Sequence, residues 1–98
     1  MMQGKWEDGT LTIILPERID ASNAAAAEAE IEQILAEGTA EKIVLDAGTL
    51  EYISSAGLLI IIKLVKREKN VTVVNVSPVV YEIFEVSGFT NFISVEKA

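Results

Sequence analysis

The chain has 98 residues, no cysteine, no histidine, a formal net charge of −7, and half of its residues are hydrophobic. This fits one domain over residues 1–98 whose core needs no disulfide, and it excludes thiolate or histidine metal centres and Ser-His or Cys-His nucleophiles. The acidic balance opposes binding to nucleic acid or anionic lipid. It suits a well-solvated surface, or one that meets a basic partner.

Met1 to Trp6 lacks the apolar run of a signal peptide, and the longest apolar stretch, Ala56 to Ile62, is too short to span a bilayer. A cytoplasmic protein is expected. Lys5 to Glu7 predicts a short strand, closed by the turn signal Asp8-Gly9. Thr10 to Leu15 alternates, with Leu11, Ile13 and Leu15 on one face, and Pro16 ends this second strand.

Ser22 or Asn23 is placed to cap a helix in which Ala24, Ala27, Ile31, Ile34 and Leu35 recur at helical spacing, with Gly38 as its terminator. Ile43-Val44-Leu45 predicts a buried strand ending at Asp46, followed by a loop to Ile53. Leu58, Ile61, Ile62 and Val65 mark a second helix, broadened by Leu59 and Ile60. Its basic end holds Lys63, Lys66, Arg67 and Lys69, favourable for the helix dipole.

Val71 to Val76 predicts a further strand. Ser77-Pro78 starts a third helix, which buries Val80, Ile83 and Phe84 and stops at Gly88; Phe92 to Val95 predicts the last strand. Strands alternating with helices imply an α/β domain: a mixed, mostly parallel sheet of about four or five strands with helices packed on it. The opening pair is expected to be antiparallel. The pattern leaves over no extended apolar face, so a monomer is expected.

In such sheets functional groups gather beyond the carboxyl ends of the strands. The loops containing Asp20 and Asp46–Gly57 qualify, and neighbouring strands would bring Asp20, Asp46 and Ser55 together. Ser54-Ser55-Ala56-Gly57 lies at a helix start, where free amides favour negative charge. The serines have two readings, as simple helix caps or as a modification site where phosphate adds charge without unfolding the domain. Gly57, without a Cβ, would admit a close backbone. Asp20 and Asp46 also read as turn and strand-end residues, and two carboxylates with no further ligand make a poor metal site. There is no Gly-x-Ser-x-Gly elbow and no Gly-rich phosphate loop.

Ile43-Val44-Leu45-Asp46 followed by Leu50-Glu51-Tyr52-Ile53-Ser54-Ser55-Ala56-Gly57-Leu58 resembles the signature of the STAS family. Arg18 to Ala24, Val76 to Val80 and Ile83 to Gly88 are similar to further segments of that family, so the resemblance covers nearly the whole chain. Ser54 stands where Asp is frequent, Ala56 where a second Ser is frequent, and Pro16-Glu17 where the early loop usually has Gly.

The resemblance implies a non-enzymatic switch of the anti-anti-sigma type, with no cofactor. Such a protein binds a serine-kinase-type anti-sigma factor, is switched off when that kinase phosphorylates the serine ahead of the helix, and is restored by a serine phosphatase. That serine corresponds to Ser55, with Ser54 as the alternative acceptor. The implied partner surface is Asp20, Asp46, Ser54, Ser55, Gly57 and Leu58, with Leu59 if exposed. A non-switching accessory subunit of a lipid or anion transporter, or a nucleotide-binding module, would share the fold.

Overall fold

The computed structural model describes residues 2–68 and 70–98. Met1 and Lys69, the latter expected among the basic residues closing the second helix, lie outside the described residues.

Strand β1 (Gln3–Glu7) turns through Asp8 (φ 50°) and Gly9 (φ 81°) into β2 (Thr10–Ile14), and the two pair antiparallel. Positive φ at both turn residues matches the twist of a tight hairpin. Helix α1 (Ala24–Leu35) leads to β4 (Lys42–Asp46), α2 (Ser55–Arg67) to β6 (Val71–Val76), and α3 (Pro78–Val86) through a 3-10 turn (Phe89–Asn91) to β7 (Ser94–Lys97). The sheet order is β1-β2-β4-β6-β7, and every pairing after the first is parallel. The expected mixed, mostly parallel sheet is therefore present with five strands.

Register sets the layers. Leu11, Ile43 and Val71 form one row across the three central strands, and Ile13, Leu45 and Val73 the next; all six are buried. Side chains alternate between faces, so Thr12, Val44 and Thr72 form a half-buried row on the opposite face. Thus β4, expected as a buried strand, buries Ile43 and Leu45 fully and Val44 in part. Ala27, Ile31 and Ile34 of α1, Ile60, Ile61 and Leu64 of α2, and Val80 and Phe84 of α3 complete the core. No polar or charged residue among those described is buried.

Local chemistry explains most boundaries. Ser77 Oγ accepts the Val80 amide at 3.3 Å, with Pro78 opening α3 as expected, and Gly88 follows its end at φ 82°. Glu28–Lys63 and Glu32–Arg67 pair α1 to α2 at the surface.

Four expectations need correction. Asn23 holds the N-cap position of α1, but neither it nor Ser22 caps the helix, because the Asn23 side chain is engaged with the preceding loop. The helix ends at Leu35 in right-handed geometry, and Gly38 instead leaves room for the Trp6 ring, 3.3 Å from where a Cβ would sit. The last strand runs Ser94–Lys97, two residues later than predicted, because the 3-10 turn takes up Phe89–Asn91. Finally, Leu59, Val79, Val86 and Phe92 are exposed, so the premise for expecting a monomer does not hold.

Candidate functional site

Two segments expected as plain loops meet beyond the sheet. Arg18–Ile19 (β3) and Tyr52–Ile53 (β5) form a short parallel ladder of their own. The Ser54 amide continues it by donating to the Ile19 carbonyl at 2.9 Å. Asp20 and Ser54 therefore leave adjacent strands side by side, each one residue past the paired Ile19 and Ile53. Two-residue strands carry too little pattern to be read from sequence.

Asp20 organises its loop. Its carboxylate accepts from the Ser22 hydroxyl, the Ser22 amide at 2.9 Å and Arg18 Nε at 3.1 Å. The Ser22 donors, and then Arg18, hold the carboxyl below the ordinary range. Asn23 closes the turn, with its Oδ1 accepting the Asp20 amide and its Nδ2 donating to the Arg18 carbonyl, both at 2.8 Å. The Arg18 guanidinium also lies 4.9 Å from the centre of the Tyr52 ring, linking β3 to β5 through side chains. Arg18 and Tyr52 were absent from the expected site.

Asp46 belongs to a separate cluster. At the end of β4, its Oδ1 accepts from the Gly48 amide at 2.9 Å and from Asn75 Nδ2 at 3.1 Å. Asn75, on β6, has φ 58°, a conformation Asn tolerates better than most residues. β2 and β4 are neighbours, the condition under which Asp20, Asp46 and Ser55 would come together, yet no hydrogen bond joins Asp20 to Asp46 or either one to Ser55 among the described residues. Asp20 is engaged by its own segment, and Asp46 by its own loop and by Asn75 of β6.

The serines divide sharply. Ser54 sits at the N-cap of α2 with extended backbone, and its carbonyl accepts the Leu58 amide, yet its side chain makes no capping bond. Its Oγ is buried without a hydrogen-bond partner among the described residues. The simple capping reading is thus not realised. Ser55, the first residue of α2, is exposed, and its hydroxyl is free of hydrogen bonds to the described residues. Leu58 is half-buried, while Leu59 is 51% exposed. Ser55, Leu58 and Leu59 line one shallow hollow together with Ile62, Ser87 and Phe89.

Gly57 is buried, and its close approach is internal. A Cβ there would fall 2.8 Å from Ile19 Cγ2. It packs α2 onto the β3–β5 ladder and so sets where Ser55 stands, rather than presenting a surface itself.

The chain is similar to known proteins over nearly its whole length. The family model described as the STAS domain matches residues 3–98. A candidate anti-sigma factor antagonist of Bordetella bronchiseptica, BtrV, is 36% identical over 92 residues, covering 90% of this chain and 78% of its own. An anti-sigma factor antagonist from Mycobacterium paratuberculosis superposes with a TM-score of 0.86 at 21% identity, covering 100% of this chain and 86% of its own. The anti-sigma factor antagonist SpoIIAA in its unphosphorylated form gives a TM-score of 0.77 at 19% identity, over 97% of this chain and 87% of its own. The phosphorylated form of the Bacillus protein gives a TM-score of 0.68 at 18% identity, over 97% and 90%.

Proposed function

We propose that this chain, which belongs to the STAS domain family, is an anti-sigma factor antagonist that binds a serine-kinase-type anti-sigma factor and is switched off by phosphorylation of Ser55. The observation that carries the reading is the state of Ser55. It is exposed on the first turn of α2, its hydroxyl makes no hydrogen bond to the described residues, and the apolar hollow under Leu58 and Leu59 begins beside it. A phosphate there adds about −1.5 to −2 charges near the free amides of a helix start. The fold accommodates that charge while a partner resting on Leu58 and Leu59 meets it directly. Ser54 is the poorer acceptor because its Oγ is buried.

In this reading the protein is cytoplasmic and non-enzymatic, and a serine phosphatase restores it. Asp20 and Asp46 shape the loops around the partner surface, and Gly57 holds α2 in place. The test is affinity capture on wild type, Ser55→Ala and Ser55→Asp, followed by binding and phosphorylation assays with the purified captured kinase. Wild type and Ser55→Ala bind the kinase, Ser55→Asp binds at least about tenfold more weakly, and only wild type is phosphorylated. Equal binding by wild type and Ser55→Asp removes the switch. Capture of transporter subunits in place of a kinase replaces the reading with that of an accessory subunit.

A further inference from the structure

Leu59, Val79, Val86 and Phe92 are 51, 67, 81 and 79% exposed, and together they line three adjoining hollows. Phe92 lies in the first, beside Lys66, where α2 meets the 3-10 turn. The central hollow, with Leu59 and Ser55, shares Ile62 and Phe89 with the first. The third, with Val79, Val86 and Glu82, shares Ser87 with the centre. One apolar strip thus runs from a Lys66 end, past Ser55, to a Glu82 end. Neither Lys66 nor Glu82 forms an ion pair among the described residues.

We propose that a second copy of this chain covers the strip, related by a two-fold axis through its middle. A two-fold interface must be self-complementary, with each patch meeting its own partner patch reversed. This strip meets that condition, because reversal sets Lys66 of each copy against Glu82 of the other and lays Phe92 over the Val79–Val86 end. Apolar surface leaves water at the centre while opposite charges meet at both rims. The net charge of −7 disfavours an anionic lipid surface and also repels a second copy at long range, so the apolar contact and the two rim pairs must outweigh that repulsion. A pairing in the same direction would oppose like charges at both ends.

Ser55 borders the central hollow near the axis, so phosphate on each copy would bring two charged groups together. Dimer and partner complex then compete for one face, and phosphorylation disfavours the dimer as well. The dimer itself is independent of the anti-sigma reading and is tested on this chain alone.

The experiment is sedimentation velocity on the full chain over a concentration series, with circular dichroism to verify folding. Wild type self-associates to a dimer; Phe92→Asp and Val86→Asp, both at exposed positions, are monomeric with unchanged spectra. Lys66→Glu raises the dimer dissociation constant about tenfold, and adding Glu82→Lys returns it to within about threefold of wild type. A wild type that stays monomeric throughout overturns the proposal. So does a dimer indifferent to both Phe92→Asp and Val86→Asp, or a charge-swapped variant that dissociates as readily as Lys66→Glu.

Discussion

Gly57 lies so close to Ile53 that a Cβ built on it would fall 2.6 Å from Ile53 Cγ1, and 3.0 Å from the Ile19 carbonyl oxygen. The first contact could be relieved by a side-chain shift. The second is backbone, held in place by the Ile19–Ile53 pairing and by the Ser54 amide. Gly57→Ala therefore forces α2 away from the β3–β5 ladder. Overpacking of this kind costs about 1–3 kcal/mol. Thermal unfolding is expected to drop by several degrees, and amide shifts in NMR spectra should concentrate on residues 18–20 and 52–58. Unchanged stability would mean that the ladder yields more easily than its hydrogen bonds imply.

Asn75 is the residue that ties the Asp46 loop to β6. Its left-handed backbone and its bond to Asp46 Oδ1 are separate contributions. Asn75→Ala loses both the tolerance for positive φ and the hydrogen bond, about 1–2 kcal/mol together. Asn75→Gly keeps the backbone tolerance and loses only the bond, so it should be the milder of the two. Chemical denaturation of both variants checks the order; if Asn75→Gly is the more damaging, backbone strain is not what matters there.

The sheet and the three main helices were legible because long elements repeat their pattern. Leu11, Ile13 and Leu15 alternate, and Ala27, Ile31 and Ile34 recur at helical spacing, so burial of one face could be read directly. The β3–β5 ladder was not legible. It is made by two pairs of residues, Arg18-Ile19 and Tyr52-Ile53, far apart in sequence and joined only by tertiary register. The exposed apolar strip escaped for a related reason. Val79, Ile83 and Val86 have core-like spacing, and only the position of α3 decides that Val79 and Val86 face outward. Asp20 and Ser55 were singled out by their motif, whereas the contacts of Arg18, Tyr52 and Asn75 depend on partners that sequence spacing does not reveal.

The Asp20 loop carries a pH dependence of defined sign. The Ser22 hydroxyl and amide and the Arg18 guanidinium lower its folded-state pKa below the ordinary 3.8. A depressed folded pKa contributes stability that is present above the unfolded value and lost as pH falls through the folded one. The loop should thus stay intact at neutral pH and loosen only in acid below the ordinary Asp range. An NMR titration should show Asp20 protonating at lower pH than in Ser22→Ala, with the Ser22 amide following the same curve. Coincident titration in the two proteins would remove Ser22 as the main cause.

Ser54 and Ser55 separate cleanly in a stability measurement. A serine that caps a helix loses about 1 kcal/mol when changed to alanine. Ser54 occupies the cap position of α2 without making the bond, and its Oγ is buried with no hydrogen-bond partner among the described residues. Removing an unsatisfied buried hydroxyl relieves a desolvation cost, so Ser54→Ala should be neutral or stabilising by up to about 1 kcal/mol. Ser55→Ala, at an exposed first-turn position, should change stability by less than about 0.5 kcal/mol. Denaturant midpoints at constant slope resolve these signs. A loss of about 1 kcal/mol in Ser54→Ala would show that its hydroxyl caps the helix in solution. With stability preserved in both variants, phosphate incorporation can be compared directly: Ser54→Ala should retain it and Ser55→Ala should abolish it. The reverse pattern would move the switch to Ser54, whose Oγ is buried, and require the start of α2 to open before modification.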